Sequence, residues 1–228
     1  VGETCDGYLN DIGGLHVKVE HVFEALDSAK GSYVDEGNVG AGTGTGALGF
    51  KAGIGTSSRK IRIGSSVFTV GVLVQSNFGG SLTIKGVSVG KELGREVIKR
   101  EGGGSIMVIV ATDIPLSHRQ LTRVVKRATL GLTRTGWTAG HGSGDYFIGF
   151  STSFRRREWS DDIKAARETI AKDEGSLNPL FQATADATEE AILNSLFKAD
   201  TMEGRDGHVY AGLPIQRVLQ ILKKYGQF

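Results

Sequence analysis

Glycine is what most limits the folds open to this chain: 34 of its 228 residues are glycine and only 3 are proline. Average usage is ~7% glycine and ~5% proline, so glycine stands at about twice its ordinary share. There is no triplet period, which excludes a collagen-type helix. Glycine at this density, without proline, marks a β-rich, tightly turned protein in which backbones approach each other closely.

The rest of the composition narrows the class. Hydrophobic residues make up 39% and charged residues 23%, enough apolar content for a sizeable core and too much for wholesale disorder. Lys and Arg number 27 against 25 Asp and Glu, a net charge of +2. No basic field arises to hold a nucleic-acid backbone or an anionic bilayer, so neither nucleic acid nor membrane is an expected partner. No apolar run approaches the ~20 residues that span a bilayer. The single cysteine, Cys5, excludes an internal disulfide framework and a multi-thiolate zinc site. No metal and no cofactor are expected. No charged-then-apolar leader follows Val1, and no visible segment encodes a location.

Read in order, residues 1–15 are turn-rich, and Val19, Val22, Phe23 and Leu26 then recur at helical spacing within 17–30, with Gly31 as the stop. Segment 37–55 has glycine at nearly every second position between 40 and 46. Residues 61–76 read as two strands joined at Gly64-Ser65-Ser66, and 82–89 as a small hairpin around Lys85-Gly86. The continuous run IMVIVA (106–111) predicts a strand buried on both faces, and 146–151 a second one. Ser117 with Gln120 has capping-box spacing and opens a helix to about Thr135, closed by Gly136. Helices are predicted at 161–172, at 179–199 with Asn178 as cap and Pro179 at the first helical position, and at 214–225. No repeat or composition shift divides the chain, which gives one α+β domain over 1–228 with sheets inside and helices outside.

Several motifs bear on chemistry. Gly42-x-Gly44-x-x-Ala47 matches a dinucleotide fingerprint, but the residues after it keep glycine every few positions and do not start the helix that fingerprint requires. None of the five histidines, His16, His21, His118, His141 and His208, forms a zinc-binding helix pair, and no G-x-S-x-G elbow occurs at a strand-to-helix turn. The junction Gly102-Gly103-Gly104-Ser105 stands out, because a serine sits directly before a buried strand and after three residues without side chains. Glycines adopt backbone angles closed to other residues. A strained Gly104–Ser105 peptide lets the Ser105 hydroxyl attack the Gly104 carbonyl. The acyl shift and hydrolysis that follow would leave Ser105 as a new N-terminus. Its α-amine, with a reference pKa near 7.7–8.0, can then serve as base for its own hydroxyl. Taken alone, the junction fits a flexible linker into a strand as well. Three other groups lie beside glycines at expected sheet edges: Asn77 at the end of a strand, where a carboxamide can donate to an oxyanion; Ser143 and Asp145 in the loop GHGSGD; and Glu3, a carboxylate able to hold a free ammonium.

These residues lie within a larger pattern. GETCDGYLNDI (2–12), GNVGAGTGTG (37–46), FKAGIGTSSR (50–59), VGVLVQSNFGG (70–80), GGSIMVIVATDIPL (103–116), GWTAGHGSGDYFIGFST (136–152), ATEEAILNSLF (187–197) and TMEGRDGH (201–208) together resemble the DmpA-type aminopeptidases. That family includes L-aminopeptidase/D-esterases and β-peptidyl aminopeptidases. The resemblance covers essentially the whole chain. It implies a four-layer αββα sandwich analogous to N-terminal-nucleophile hydrolases and a precursor that cuts itself at Gly104–Ser105. Residues 1–104 would then be the C-terminal part of a larger subunit and 105–228 the smaller subunit. It also implies that Ser105 is the nucleophile, that Asn77 stabilises the oxyanion, and that Ser143 and Asp145 orient and activate the nucleophile. Glu3 would bind the substrate's free amino terminus. Substrates would be short peptides, amides or esters. The assembly would be a homo-oligomer of processed heterodimers.

The chain departs from the family pattern at two points. Cys5 stands where many members carry an aromatic residue, often tyrosine, which removes a phenol donor and widens the local pocket. The family also has a substantial segment ahead of the position of Val1, expected here to be supplied by a separate polypeptide or compensated by the assembly. An ornithine acetyltransferase-like acyltransferase shares the architecture but uses threonine, so Ser105 disfavours it. A catalytically silent, unprocessed binding or structural protein is the remaining alternative.

Overall fold

The computed structural model describes residues 4–31, 33–95, 104–137, 140–153 and 177–227. Glu3, Gly102, Gly103 and the helix predicted at 161–172 lie outside the described residues. In chain order the elements are α1 (Val19–Asp27), β1 (Gly46–Ala47), β2 (Phe50–Lys51), β3 (Ile54–Ile63), β4 (Ser66–Asn77), α2 (Val89–Glu92), β5 (Ser105–Thr112), α3 (His118–Val125), α4 (Ala128–Arg134), β6 (Gly144–Ser151), α5 (Asn178–Phe197), β7 (Met202–Glu203), β8 (Val209–Tyr210) and α6 (Ile215–Lys224).

One four-stranded sheet organises them, in the order β3-β4-β5-β6. β3 and β4 form the hairpin expected at Gly64, although β3 begins earlier than the sequence indicated, at Ile54. β4 and β5 run antiparallel, whereas β5 and β6 are parallel. Alternate residues point to opposite faces. Val70, Val72 and Val74 of β4 and Ile106, Val108 and Val110 of β5 therefore share one face, and all six are buried. Helix α5 covers that face over β3 and β4, with Leu180, Ala187, Ala191, Ile192 and Leu196 in the same core. The approach is close enough that a Cβ on Gly55 would lie 1.9 Å from the Ala191 carbonyl oxygen, so β3 needs glycine at that crossing.

The opposite face differs from expectation. Residues 146–151 were expected as a strand buried on both sides, but β6 is buried only in part. Tyr146, Ile148 and Phe150 are about half exposed (47%, 55% and 48%), in register with Met107, Ile109 and Ala111. The hydrophobic run predicted the strand correctly; it did not predict that no described element lies over this part of it. The described residues thus make an α+β unit of one four-stranded mixed sheet with its helical cover and two small two-stranded sheets.

The helix predicted from Val19, Val22, Phe23 and Leu26 forms as α1, yet none of its residues is buried, and these four are 54–67% exposed. The helix predicted from Ser117 is capped as expected, with the Ser117 hydroxyl accepting from Gln120 N–H at 3.3 Å, but it breaks at Lys126-Arg127 into α3 and α4. α5 begins one residue early, with Leu177 rather than Asn178 at its cap.

The glycine-rich segment 40–53 is folded rather than loose. A three-residue 3-10 turn, Gly40–Gly42, leads into the β1–β2 hairpin, and no helix follows it. Lys51 is fully buried there, donating from Nζ to the carbonyls of Gly42 (2.9 Å) and Ala52. Burial lowers its pKa to about 8.

Candidate functional site

Three strand ends converge at the Gly104–Ser105 junction. Ser105 opens β5 and pairs directly with Asn77, the last residue of β4, and with Gly144, the first residue of β6. In this register the side chains of Asn77 and Ser105 fall on the sheet face away from α5. Ser105 Oγ lies 3.2 Å from where a Cβ on Gly144 would stand. On the other side of the junction, a Cβ on Gly104 would lie 2.5 Å from Phe78 Cα and 2.8 Å from Gly79 N. The residue before Ser105 is therefore wedged against the chain leaving β4, and only glycine fits.

The loop before β6 brings a second group to the junction. Ser143 Oγ donates to the Gly104 carbonyl oxygen at 2.6 Å and lies 2.9 and 3.0 Å from the two Asp145 carboxyl oxygens. Alternation along β6 turns Asp145 to the opposite face from Ser105, so it meets the junction through Ser143. Burial raises the Asp145 pKa, against hydrogen bonds from Ser143 and from the Ile106 backbone that lower it. A hydroxyl has a single proton to donate. Ser143 can therefore give that proton to the Asp145 carboxylate or to the Gly104 carbonyl, and protonation of Asp145, which burial favours, frees it for Gly104.

Asn77 is 3% exposed, and among the described residues its carboxamide oxygen has no hydrogen-bond partner. An unpaired buried acceptor costs ~1–3 kcal/mol. Glu3 lies outside the described residues, but its neighbour Thr4 accepts a hydrogen bond from Gln75 Nε2 at 2.7 Å. Gln75 is two residues before Asn77 and so on the same face. Gln75 also donates to the Ala41 carbonyl at 2.9 Å, drawing the glycine-rich segment to this end of the sheet. Cys5, the next residue, is exposed.

The structure thus brings together four of the predicted residues: Ser105, Asn77, Ser143 and Asp145. The hydrogen bonds of Ser143 and Asp145 run to each other and to backbone, not to a histidine. His141 is exposed, and His208 stacks on Tyr8 with ring centroids 4.5 Å apart. Among the described residues no group of three His, Cys, Asp or Glu side chains converges.

A cavity of about 510 Å³, which no motif foretold, begins at Phe78, the residue after Asn77. Tyr8, Phe50, Phe78, Val209, Tyr210 and Arg95 line it, with backbone from Gly79 and Gly80. Its walls come from distant parts of the chain, and no local motif marks them.

A sequence model of peptidase family S58 matches residues 1–210. The β-peptidyl aminopeptidase BapA of Sphingosinicella microcystinivorans is 42% identical over 242 residues, covering 99% of this chain and 61% of that protein. Among solved structures, the PH0078 protein of Pyrococcus horikoshii OT3 superposes with a TM-score of 0.86 at 51% identity, over 97% of this chain and 61% of its own. The L-aminopeptidase D-Ala-esterase/amidase of Ochrobactrum anthropi, a serine aminopeptidase with a variant of the Ntn hydrolase fold, gives 0.82 at 37% identity over the same shares. This chain spans about three fifths of the length of each.

Proposed function

The chain belongs to peptidase family S58, and from that premise we propose that it is part of a self-processing N-terminal-serine aminopeptidase. The carrying observation is the Ser143 hydroxyl on the Gly104 carbonyl, with Asp145 behind it and Ser105 next in the chain. In the uncut chain, Ser105 Oγ attacks the Gly104 carbonyl carbon. Charge develops on the oxygen that Ser143 already contacts. The C–N bond breaks as the proton given up by the Ser105 hydroxyl passes to the Ser105 nitrogen, and Gly104 is left as an ester on Oγ. Water hydrolyses that ester, giving a Gly104 carboxylate and a free Ser105 amine. Residues 1–104 then end the larger subunit and 105–228 form the smaller one.

In the processed form the substrate's ammonium docks on Glu3. The Ser105 amine takes the proton from its own hydroxyl as Oγ attacks the scissile carbonyl, directly or through one water. The Asn77 carboxamide donates to the tetrahedral oxyanion. Ser143 and Asp145 hold the amine in position. The leaving amine departs protonated, and water releases the acyl group. Substrates are short peptides, amides or esters with a free amino terminus.

The sheet face bearing Tyr146, Ile148 and Phe150 and helix α1, both uncovered among the described residues, support an assembly beyond a single chain: a homo-oligomer of processed heterodimers, with further polypeptide contributing cover. Ser105→Ala tests the proposal. It is expected to abolish both self-cleavage and turnover of an aminoacyl p-nitroanilide. A variant that still splits or still turns over would overturn the assignment.

A further inference from the structure

Resting on the aminopeptidase reading, we infer that the cavity beyond Phe78 is a subsite for the part of a short peptide that follows the scissile bond, taking an aromatic or large apolar side chain there and pairing the peptide's C-terminal carboxylate with Arg95. The cavity is concave, about 510 Å³, in the range that holds one or two residues of a ligand. Four rings, those of Tyr8, Phe50, Phe78 and Tyr210, form its walls, so its chemistry favours a flat apolar group.

Its position links it to the reacting atoms. The 77–79 backbone carries Asn77 at one residue and the cavity wall at the next two, and the Gly104 backbone packs against Phe78 and Gly79. The cavity wall therefore begins one residue along the chain from Asn77 and against the residue that precedes Ser105.

Charge fixes the orientation. Among the described residues, Arg95 is the one charged side chain lining the cavity, and no acidic residue lines it. Its guanidinium carbon stands 5.9 Å from the Phe50 ring centroid, an arrangement that holds the cation over the pocket wall. A guanidinium pairs a carboxylate in a fork that an amide cannot reproduce. With the amino terminus assigned to Glu3, a cation in this cavity selects peptides short enough to present a free carboxylate. Arg95 is then a specificity-determining residue for di- and tripeptides.

Two measurements test this. The first compares KM on the processed protein for matched peptides, Ala-Phe and Ala-Phe-amide. The free acid is expected to have the lower KM by about tenfold, a difference that Arg95→Met erases and Arg95→Lys partly keeps. Equal KM values in the unaltered protein, or an equal loss on acid and amide in Arg95→Met, would overturn the subsite. The second titrates 3-phenylpropionate into Ser105→Ala, where no turnover intervenes. Saturable binding that weakens about tenfold on adding Arg95→Met supports the subsite, and its absence overturns it. Failure of the unaltered protein to hydrolyse either peptide or a p-nitroanilide would instead defeat the aminopeptidase reading, and the titration still decides the subsite.

Discussion

Ser143 has one hydroxyl proton and acceptors on both sides, the Gly104 carbonyl at 2.6 Å and the Asp145 carboxyl at 2.9 Å, so its direction follows the protonation of Asp145. Burial raises the Asp145 pKa, which keeps the protonated form populated to higher pH in the folded chain than in the unfolded one. The support this gives is present at low pH and is lost as pH rises through the raised value. Asp145→Asn keeps an N–H donor toward Ser143 but does not titrate. The ratio of self-cleavage rates, unaltered chain over Asp145→Asn, is therefore expected to fall as pH rises through the carboxyl range. Denaturing gels of freshly translated chain give that ratio; a ratio that is flat or rises with pH would contradict the proton assignment. At this scale the sequence was informative where groups are neighbours. Ser143 and Asp145 stand on one tight loop, and Ser105 follows its glycines directly. The pairing of Asn77 with Ser105 needs the register of β4 against β5, which no single segment encodes. Arg95, Tyr8 and Tyr210 meet only through tertiary structure, so they were missed.

Among the elements, α1 separates what periodicity tells from what it does not. Val19, Val22, Phe23 and Leu26 specify a helix with one apolar face, and the helix forms. The same pattern is silent about what covers that face, and here nothing among the described residues does. β6 repeats the lesson, since FIGF (147–150) specifies a strand but not a partner for Ile148 and Phe150. If these faces are interfaces, replacing Val22 and Phe23 by Glu leaves the thermal midpoint of the monomeric chain within about 2 °C, because exposed substitutions cost little, while lowering the oligomer mass in light scattering. An unchanged oligomer mass would show that α1 takes no part in assembly. The central strand β5 was more legible because both its periodicity and its surroundings agree. Ile106, Val108 and Val110 are buried in the core they share with residues of α5, and Met107 on the other face is also buried.

For the whole molecule, glycine content proved a sound guide to close packing, from the contact of Gly55 with α5 to the wedge of Gly104 against Phe78. The layer count was not readable in this way, because a sheet's second face is specified by whatever packs on it. Both the architecture and the chemistry turn on the backbone at Gly104–Ser105, where a glycine carbonyl, a serine nucleophile and a hydroxyl donor meet. The mass of the purified chain under denaturing conditions tests that point most directly. Two polypeptides are expected, one ending at Gly104 and one beginning at Ser105, whose masses together equal the 24.2 kDa chain plus one water. A single uncut 24.2 kDa species, persisting after long incubation, would contradict it.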